Sequence, residues 1–179
     1  ASAALFLGAA WKLNPLCLKL SVPVLLILFF YSYTKRFTPY SHLILGFCLG
    51  MAPLGSWIAV RGDVQVTPVL LCAIVMLWTA GFDIIYACQD VEFDRRKGLF
   101  SLPKRLGVRT ALNVSSVMHV LMLLLLVALL TLERLGWVSF AGTLLVAALL
   151  WYEHSLVRPE DLSKVNASFF TVNGCISVL

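Results

Sequence analysis

The sequence predicts an all-α fold, a polytopic bundle of transmembrane helices, and three observations carry that prediction. Of 179 residues, 60% are apolar and only 13% are charged, where a soluble domain carries about 25% charged residues. The mean hydropathy is +0.91. The apolar residues fall in blocks of roughly 16 to 22, close to the ~20 residues a helix needs to cross the hydrocarbon core. Inside that core each backbone amide must be satisfied within its own segment, so the blocks are helices. A barrel would need segments of alternating polarity, and Val120 to Leu130 does not alternate.

Taken in order, helix a covers Ala1 to Leu13 and is partial. Asn14-Pro15 turns the chain, because the residue before proline avoids the α region. Helix b covers Leu16 to Tyr33 and contains Pro23, a candidate kink. Helix c covers Leu43 to Val60, with Gly46, Gly50 and Gly55 spaced for close helix approach and Pro53 as a second bend. Helix d runs from Pro68 to Asp90, helix e from Thr110 to Leu132 and helix f from Gly136 to Leu156. Helix g starts near Asn166 and is partial. Residues 1–179 read as a single membrane-embedded domain, truncated at both ends because the chain starts and stops within apolar runs. No signal peptide is expected.

The charges are unevenly placed. Lys35, Arg36, Arg95, Arg96, Lys97, Lys104, Arg105, Arg109, Arg158 and Lys164, ten of the fourteen Lys and Arg, fall in loops on one side. The positive-inside rule makes that side cytoplasmic, and the net charge of +5 therefore reports topology rather than nucleic-acid binding. An integral protein of a bacterial inner membrane, embedded in the lipid bilayer, is the expected setting. The five cysteines lie in or beside apolar blocks without a C-x-x-C pair, and read as small apolar residues.

One segment carries chemistry. Asp83 follows a long apolar stretch, and an acid at that depth marks a functional site by default. Asp90 and Asp94 follow at +7 and +11. A regular helix brings all three carboxylates within about 20° of one face, with Tyr86 at its edge, while Glu92 points elsewhere. Aligned acids repel unless a cation sits among them, and Mg²⁺ commonly takes one or two carboxylates together with substrate phosphates. Three readings fit these residues: a metal–phosphate site, a solvated charge cluster paired with Arg95, Arg96 or Lys97, and an ion or proton path. The depth of Asp83 weighs against the second. Lys35 and Arg36 close helix b on the same side, and Lys97 follows the acids. Cations so placed stabilise charge developing on a leaving diphosphate.

The pattern Asp83-x-x-Tyr86-x-x-x-Asp90-x-x-x-Asp94 resembles the second aspartate motif of the UbiA-family aromatic prenyltransferases. The run from Tyr33 through Lys35 and Arg36 to Thr38 is similar to the K-R-x-T stretch that follows the family's fourth helix, and Lys97 to Gly107 resembles the continuation into the next helix. The likeness covers essentially the whole chain and looks closest to the 4-hydroxybenzoate polyprenyltransferase branch. It implies a UbiA-like bundle of nine helices, of which about seven, two of them partial, are present. It implies a Mg²⁺-dependent enzyme that moves a polyprenyl group from a polyprenyl diphosphate to an aromatic acid acceptor in ubiquinone or menaquinone synthesis. On that resemblance Asp90 and Asp94 hold the metal, Asp83 and Tyr86 line the cavity as further catalytic residues, and Lys35, Arg36 and Lys97 meet the diphosphate. The family's first motif, N-D-x-x-D-x-x-x-D, has no match in these residues, so the 179 residues alone are expected to be inactive. The competing expectations are a transporter-like protein using Asp83 as an intramembrane binding acid, and a non-catalytic helical scaffold.

Three histidines complete the inventory. His119, inside helix e, is expected to face the bundle through one hydrogen bond, and His42 and His154 are expected to be interfacial polar markers. Trp11, Trp57, Trp78, Trp137 and Trp151 include several suited to a membrane-interface belt, and Asn173-Gly174 in helix g could face a neighbour or a cavity.

Overall fold

The computed structural model describes residues 1–179. It is all-helical: α1 (Ser2–Leu13), α2 (Pro15–Thr34), α3 (Ser41–Arg61), α4 (Val66–Ala87), α5 (Val91–Arg96), α6 (Leu102–Leu106), α7 (Val108–Leu132), α8 (Trp137–Leu156) and α9 (Asn173–Val178). A 3₁₀ turn at Cys88–Asp90 joins α4 to α5, and a π-helical turn at Ala167–Val172 leads into α9. Four segments are long and apolar enough to span a membrane: α2, α3, the continuous rod Val66–Arg96 and α7. The protein is an integral membrane protein. The 20-residue α8 has the length to span, but carries Glu153 and His154 in its last turn.

Local chemistry explains the joints. Asn14 caps α2 by accepting a hydrogen bond from the Cys17 N–H at 2.9 Å, with Pro15 in the first helical position, where a missing N–H costs nothing. The same side chain donates to the Ile58 carbonyl at 2.8 Å, pinning the α1–α2 turn against the end of α3. Gly62 closes α3 in the left-handed region, at φ 72°. Pro23 and Pro53 both lie inside helices that continue past them.

The tightest contact is α3 on α4. A methyl group added at Gly46 would meet the Met76 carbonyl, and one at Gly50 would meet the Cys72 carbonyl. Bare Cα atoms at this four-residue spacing let the backbones touch. Gly55, expected to share that role, has open space around it; it lies five residues after Gly50, a spacing that rotates it off the contact face. Helix α7 packs on the other side of α4, where the Ser115 hydroxyl donates to the Gly81 carbonyl at 2.7 Å. One buried cluster around Ile84, Ile85, Leu102, Ala111 and Val165 sits beneath the acid segment. A second, around Ile74, Met122, Leu129 and Leu150, fills the opposite half.

A candidate diphosphate and metal site at the end of the α4–α5 rod

The acid segment occupies the last turns of the rod Val66–Arg96. At 31 residues this rod exceeds the ~20 needed to span the bilayer, so its charged end projects past the hydrocarbon. Uniform α-helix was expected through Asp90, but residues Cys88–Asp90 form a 3₁₀ turn. That turn advances about 120° per residue instead of about 100°, and it separates the environments of the acids.

All three carboxylates nevertheless face the segment from the end of α2 to the first turn of α3. The Asp83 Oδ2 lies 2.6 Å from His42 Nδ1. The Lys35 Nζ lies 3.2 Å from Asp94 Oδ1 and 4.0 Å from Asp90 Oδ2. The partners at positions 35 and 42 thus come from one short stretch across from the rod. Asp94 is fully buried, while the Asp90 side chain is 40% exposed. The Asp94–Lys35 contact is an ion pair without hydrogen-bond alignment, and neither Asp94 carboxylate oxygen has a hydrogen-bond partner. A buried carboxylate in that condition is costly unless a cation meets it. Two hard oxygen donors converging on one ammonium make a donor set that suits Mg²⁺, so the residues present fit the metal that the motif implies.

The loop after α5 is built to hold Lys35 in place. The Phe100 N–H donates to the Lys35 carbonyl at 2.7 Å. The Lys104 ammonium is engaged by backbone, donating to the Leu99 carbonyl at 2.6 Å and the Asp94 carbonyl at 3.4 Å. The charge cluster weighed for Arg95 takes a different form: Arg95 pairs with Glu92 at 2.9 Å on the exposed side. Arg36 lies over the Tyr33 ring, 5.6 Å from its centroid, and Lys97 is exposed beyond the end of α5. Neither is brought to the carboxylates. Tyr86 stacks on Phe169, with ring centroids 4.4 Å apart, and meets Phe170 at 6.3 Å, which joins the rod to the π-helical turn.

The description of the UbiA prenyltransferase family matches residues 1–174. The chain belongs to the UbiA prenyltransferase family. Among curated relatives it is 33% identical over 161 residues to a 4-hydroxybenzoate solanesyltransferase of Synechocystis sp., covering 86% of this chain and 53% of that protein. It is 35% identical over 162 residues to a 4-hydroxybenzoate octaprenyltransferase of Xanthomonas campestris pv. campestris, covering 90% and 54%. The chain spans about half the length of the curated relatives it matches. In three dimensions it superposes on the apo structure of a UbiA homolog from Aeropyrum pernix K1 with a TM-score of 0.85 and 33% identity, covering 98% of this chain and 67% of that one. A study of digeranylgeranylglyceryl phosphate synthase supplies a second structure, with a TM-score of 0.80 and 23% identity, over 98% and 64%; that likeness is one of fold.

Within this UbiA frame the structure corrects two histidine expectations. His42 is no interfacial marker: it is 1% exposed and bonded to Asp83. His154 is no marker either, because its Nε2 lies 2.9 Å from His119 Nδ1 and its Nδ1 lies 3.2 Å from the Ser116 hydroxyl. Trp78 lies within α4 rather than at a helix end, and its indole N–H donates to Asn173 Oδ1 at 3.0 Å. Asn173 faces inward and donates to Glu153 Oε1 at 2.7 Å. Glu153, which the sequence reading passed over, is fully buried. Its signal was available: an acid followed by a histidine in the last turn of an otherwise apolar helix is the same anomaly that singled out Asp83.

Proposed function

We propose that the protein containing this chain is an aromatic polyprenyltransferase. It transfers a polyprenyl group from a polyprenyl diphosphate to an aromatic acid of the 4-hydroxybenzoate type in quinone biosynthesis. The observation that carries the reading is the convergence of Asp90, Asp94 and Lys35 at the mouth of a membrane-spanning rod, within a UbiA frame. The names of the relatives support the acceptor class.

Asp90 and Asp94 would hold Mg²⁺, which supplies Lewis-acid charge to the diphosphate when bound. Lys35 adds a fixed cation beside the same oxygens, where charge accumulates as the allylic C–O bond breaks and diphosphate departs. The electron-deficient allylic carbon then bonds to a ring carbon ortho to the phenol oxygen, and that carbon releases its proton. Asp83, held by His42, presents a carboxylate on the same side of the rod. A reaction at the membrane boundary would need water kept from the allylic carbon, and the prenyl tail can stay in lipid. The ten cationic residues on the acid-bearing side support a cytoplasmic placement of that end, and a bacterial inner membrane is the setting we propose.

The test is incorporation of labelled prenyl diphosphate into 4-hydroxybenzoate by membranes holding the full-length protein. Asp90→Ala and Asp94→Ala should each remove nearly all product while leaving expression intact, and chelation should do the same until Mg²⁺ is restored. Product near the wild-type level in either variant would overturn the metal assignment. Residues 1–179 expressed alone, which contain no first aspartate motif, should form no product.

A further inference from the structure

Where the last turn of α8 meets α7, beside Gly81 on α4, three side chains bring one polar atom each to a common point. They are His119 on α7 and Glu153 and His154 on α8, with donor atoms within 4.8 Å of one another. His119 Nδ1 lies 2.9 Å from His154 Nε2 and 3.7 Å from Glu153 Oε2. His119 is 2% exposed and Glu153 is fully buried.

The remaining polar atom of each of these side chains is already engaged. His119 Nε2 lies 3.2 Å from the Trp78 carbonyl. A carbonyl can only accept, so the proton is on Nε2 and the lone pair is on Nδ1, aimed at the common point. His154 Nδ1 is held by the Ser116 hydroxyl at 3.2 Å. Glu153 Oε1 accepts from Asn173 at 2.7 Å and from Ser168 at 3.3 Å. Two imidazoles and a carboxylate, each fixed by an outer partner and each presenting its other atom inward, match the way protein metal ligands are oriented.

One proton shared between the imidazoles would satisfy two of the three atoms. It would leave Glu153 Oε2 without a donor, as it stands here, and no Lys or Arg lies within ion-pair distance of this buried carboxylate. A divalent cation meets all three atoms and neutralises the buried carboxylate, leaving one positive charge for a fourth ligand to offset. Two nitrogens and one oxygen are the donors of Zn²⁺ and its first-row neighbours rather than of Mg²⁺, which takes oxygen. Tetrahedral coordination at about 2.0–2.1 Å needs the two nitrogens about 3.3 Å apart, a small opening from 2.9 Å.

We propose that His119, Glu153 and His154 form a binding site for a divalent transition metal of the zinc class, separate from the aspartate motif, that clamps α7 to α8. The glycine at position 81 is part of its construction, because a methyl group there would strike the His119 ring. The assignment is independent of the transferase reading.

The test uses the full-length protein in detergent, stripped with chelator, reloaded with Zn²⁺ in excess Mg²⁺, desalted, and assayed for metal per chain by plasma mass spectrometry. About one Zn²⁺ per chain is expected in the wild type and equally in the Asp90→Asn/Asp94→Asn double variant. A drop of at least fivefold is expected in Glu153→Gln and His154→Ala. Reloading with Co²⁺ should produce visible d–d absorption that Mg²⁺ does not displace. The proposal is overturned if the wild type retains only background zinc, if the double aspartate variant loses it, or if the Glu153 and His154 variants retain it. The first two comparisons decide the matter even if the network variants do not fold.

Discussion

The acid mouth and the histidine interior are two polar regions of one bundle built on opposite plans. At the mouth, Asp83, Asp90 and Asp94 lie within twelve consecutive residues of one rod, and their partners, Lys35 after α2 and His42 in the first turn of α3, lie seven residues apart. In the interior, Trp78, His119, Glu153 and Asn173 come from four elements spread over 95 residues of sequence. The mouth leaves polar atoms under-satisfied, with both oxygens of Asp94 lacking a hydrogen-bond partner. The interior network engages almost every polar atom it contains. The first arrangement sacrifices stability for reactive charge, and the second spends polar groups on joining helices whose apolar surfaces have no hydrophobic reason to prefer each other over lipid.

The sharpest way to break this contrast is Asp94→Asn. The substitution keeps shape and removes a buried, poorly satisfied charge. Turnover should fall by on the order of 100-fold or more, as when a group that organises transition-state charge is lost. The melting temperature in detergent should be equal to or above that of the wild type. A clear fall in melting temperature would mean that the Asp94–Lys35 pair is structural cement, and the two regions would then not differ as described.

In the interior the opposite balance is expected. Gly81→Ala forces a methyl group into the His119 ring, and overpacking of this kind costs about 1–3 kcal/mol. The melting temperature should drop, while the proposed prenyl transfer by the full-length protein, measured well below it, should change by much less than in Asp94→Asn. A melting temperature unchanged from wild type would show that α7 can slide away from α4 at no cost.

How far each region could be read from sequence follows from the same contrast. A motif along one helix is visible because its spacing and its helical geometry are one fact, and the partition into apolar blocks follows from bilayer thickness alone. Lys35 was legible for the same reason, as the first cation after a span. The 3₁₀ turn at Cys88–Asp90 was not, because nothing in its composition distinguishes it from α-helix. His42 and His154 were misjudged because their position near helix ends suggested exposure, while their partners lie 41 and 35 residues away. Which polar residues meet across a bundle depends on helix rotation and tilt, and these are set by contacts such as Gly46 and Gly50 on α4 that no single helix encodes.

Asn173→Ala probes the network at a smaller scale. It deletes the acceptor of the Trp78 indole and a donor to Glu153. Interhelical hydrogen bonds in membranes average about 0.6 kcal/mol, and leaving a buried carboxylate oxygen short of a donor raises the cost towards about 1–2 kcal/mol. Unfolding in increasing denaturing detergent should register that loss, and a value near zero would mean that Ser168 alone holds Glu153.

The smallest effect belongs to a paired comparison on α3. Gly50→Ala places a methyl group against the Cys72 carbonyl, whereas the same change at Gly55 meets open space. Because the Gly50 contact is backbone rather than a flexible side chain, α3 and α4 must separate to admit the methyl, and this is expected to lower the melting temperature. At Gly55 the change should lie within about ±0.5 kcal/mol of wild type, or slightly stabilise by restricting the unfolded chain. Equal losses at the two positions would mean that a partner covers Gly55 in the membrane. Equal neutrality would mean that the α3–α4 contact is looser than its backbone approach indicates, and the rotation that aims His42 at Asp83 would then need another cause.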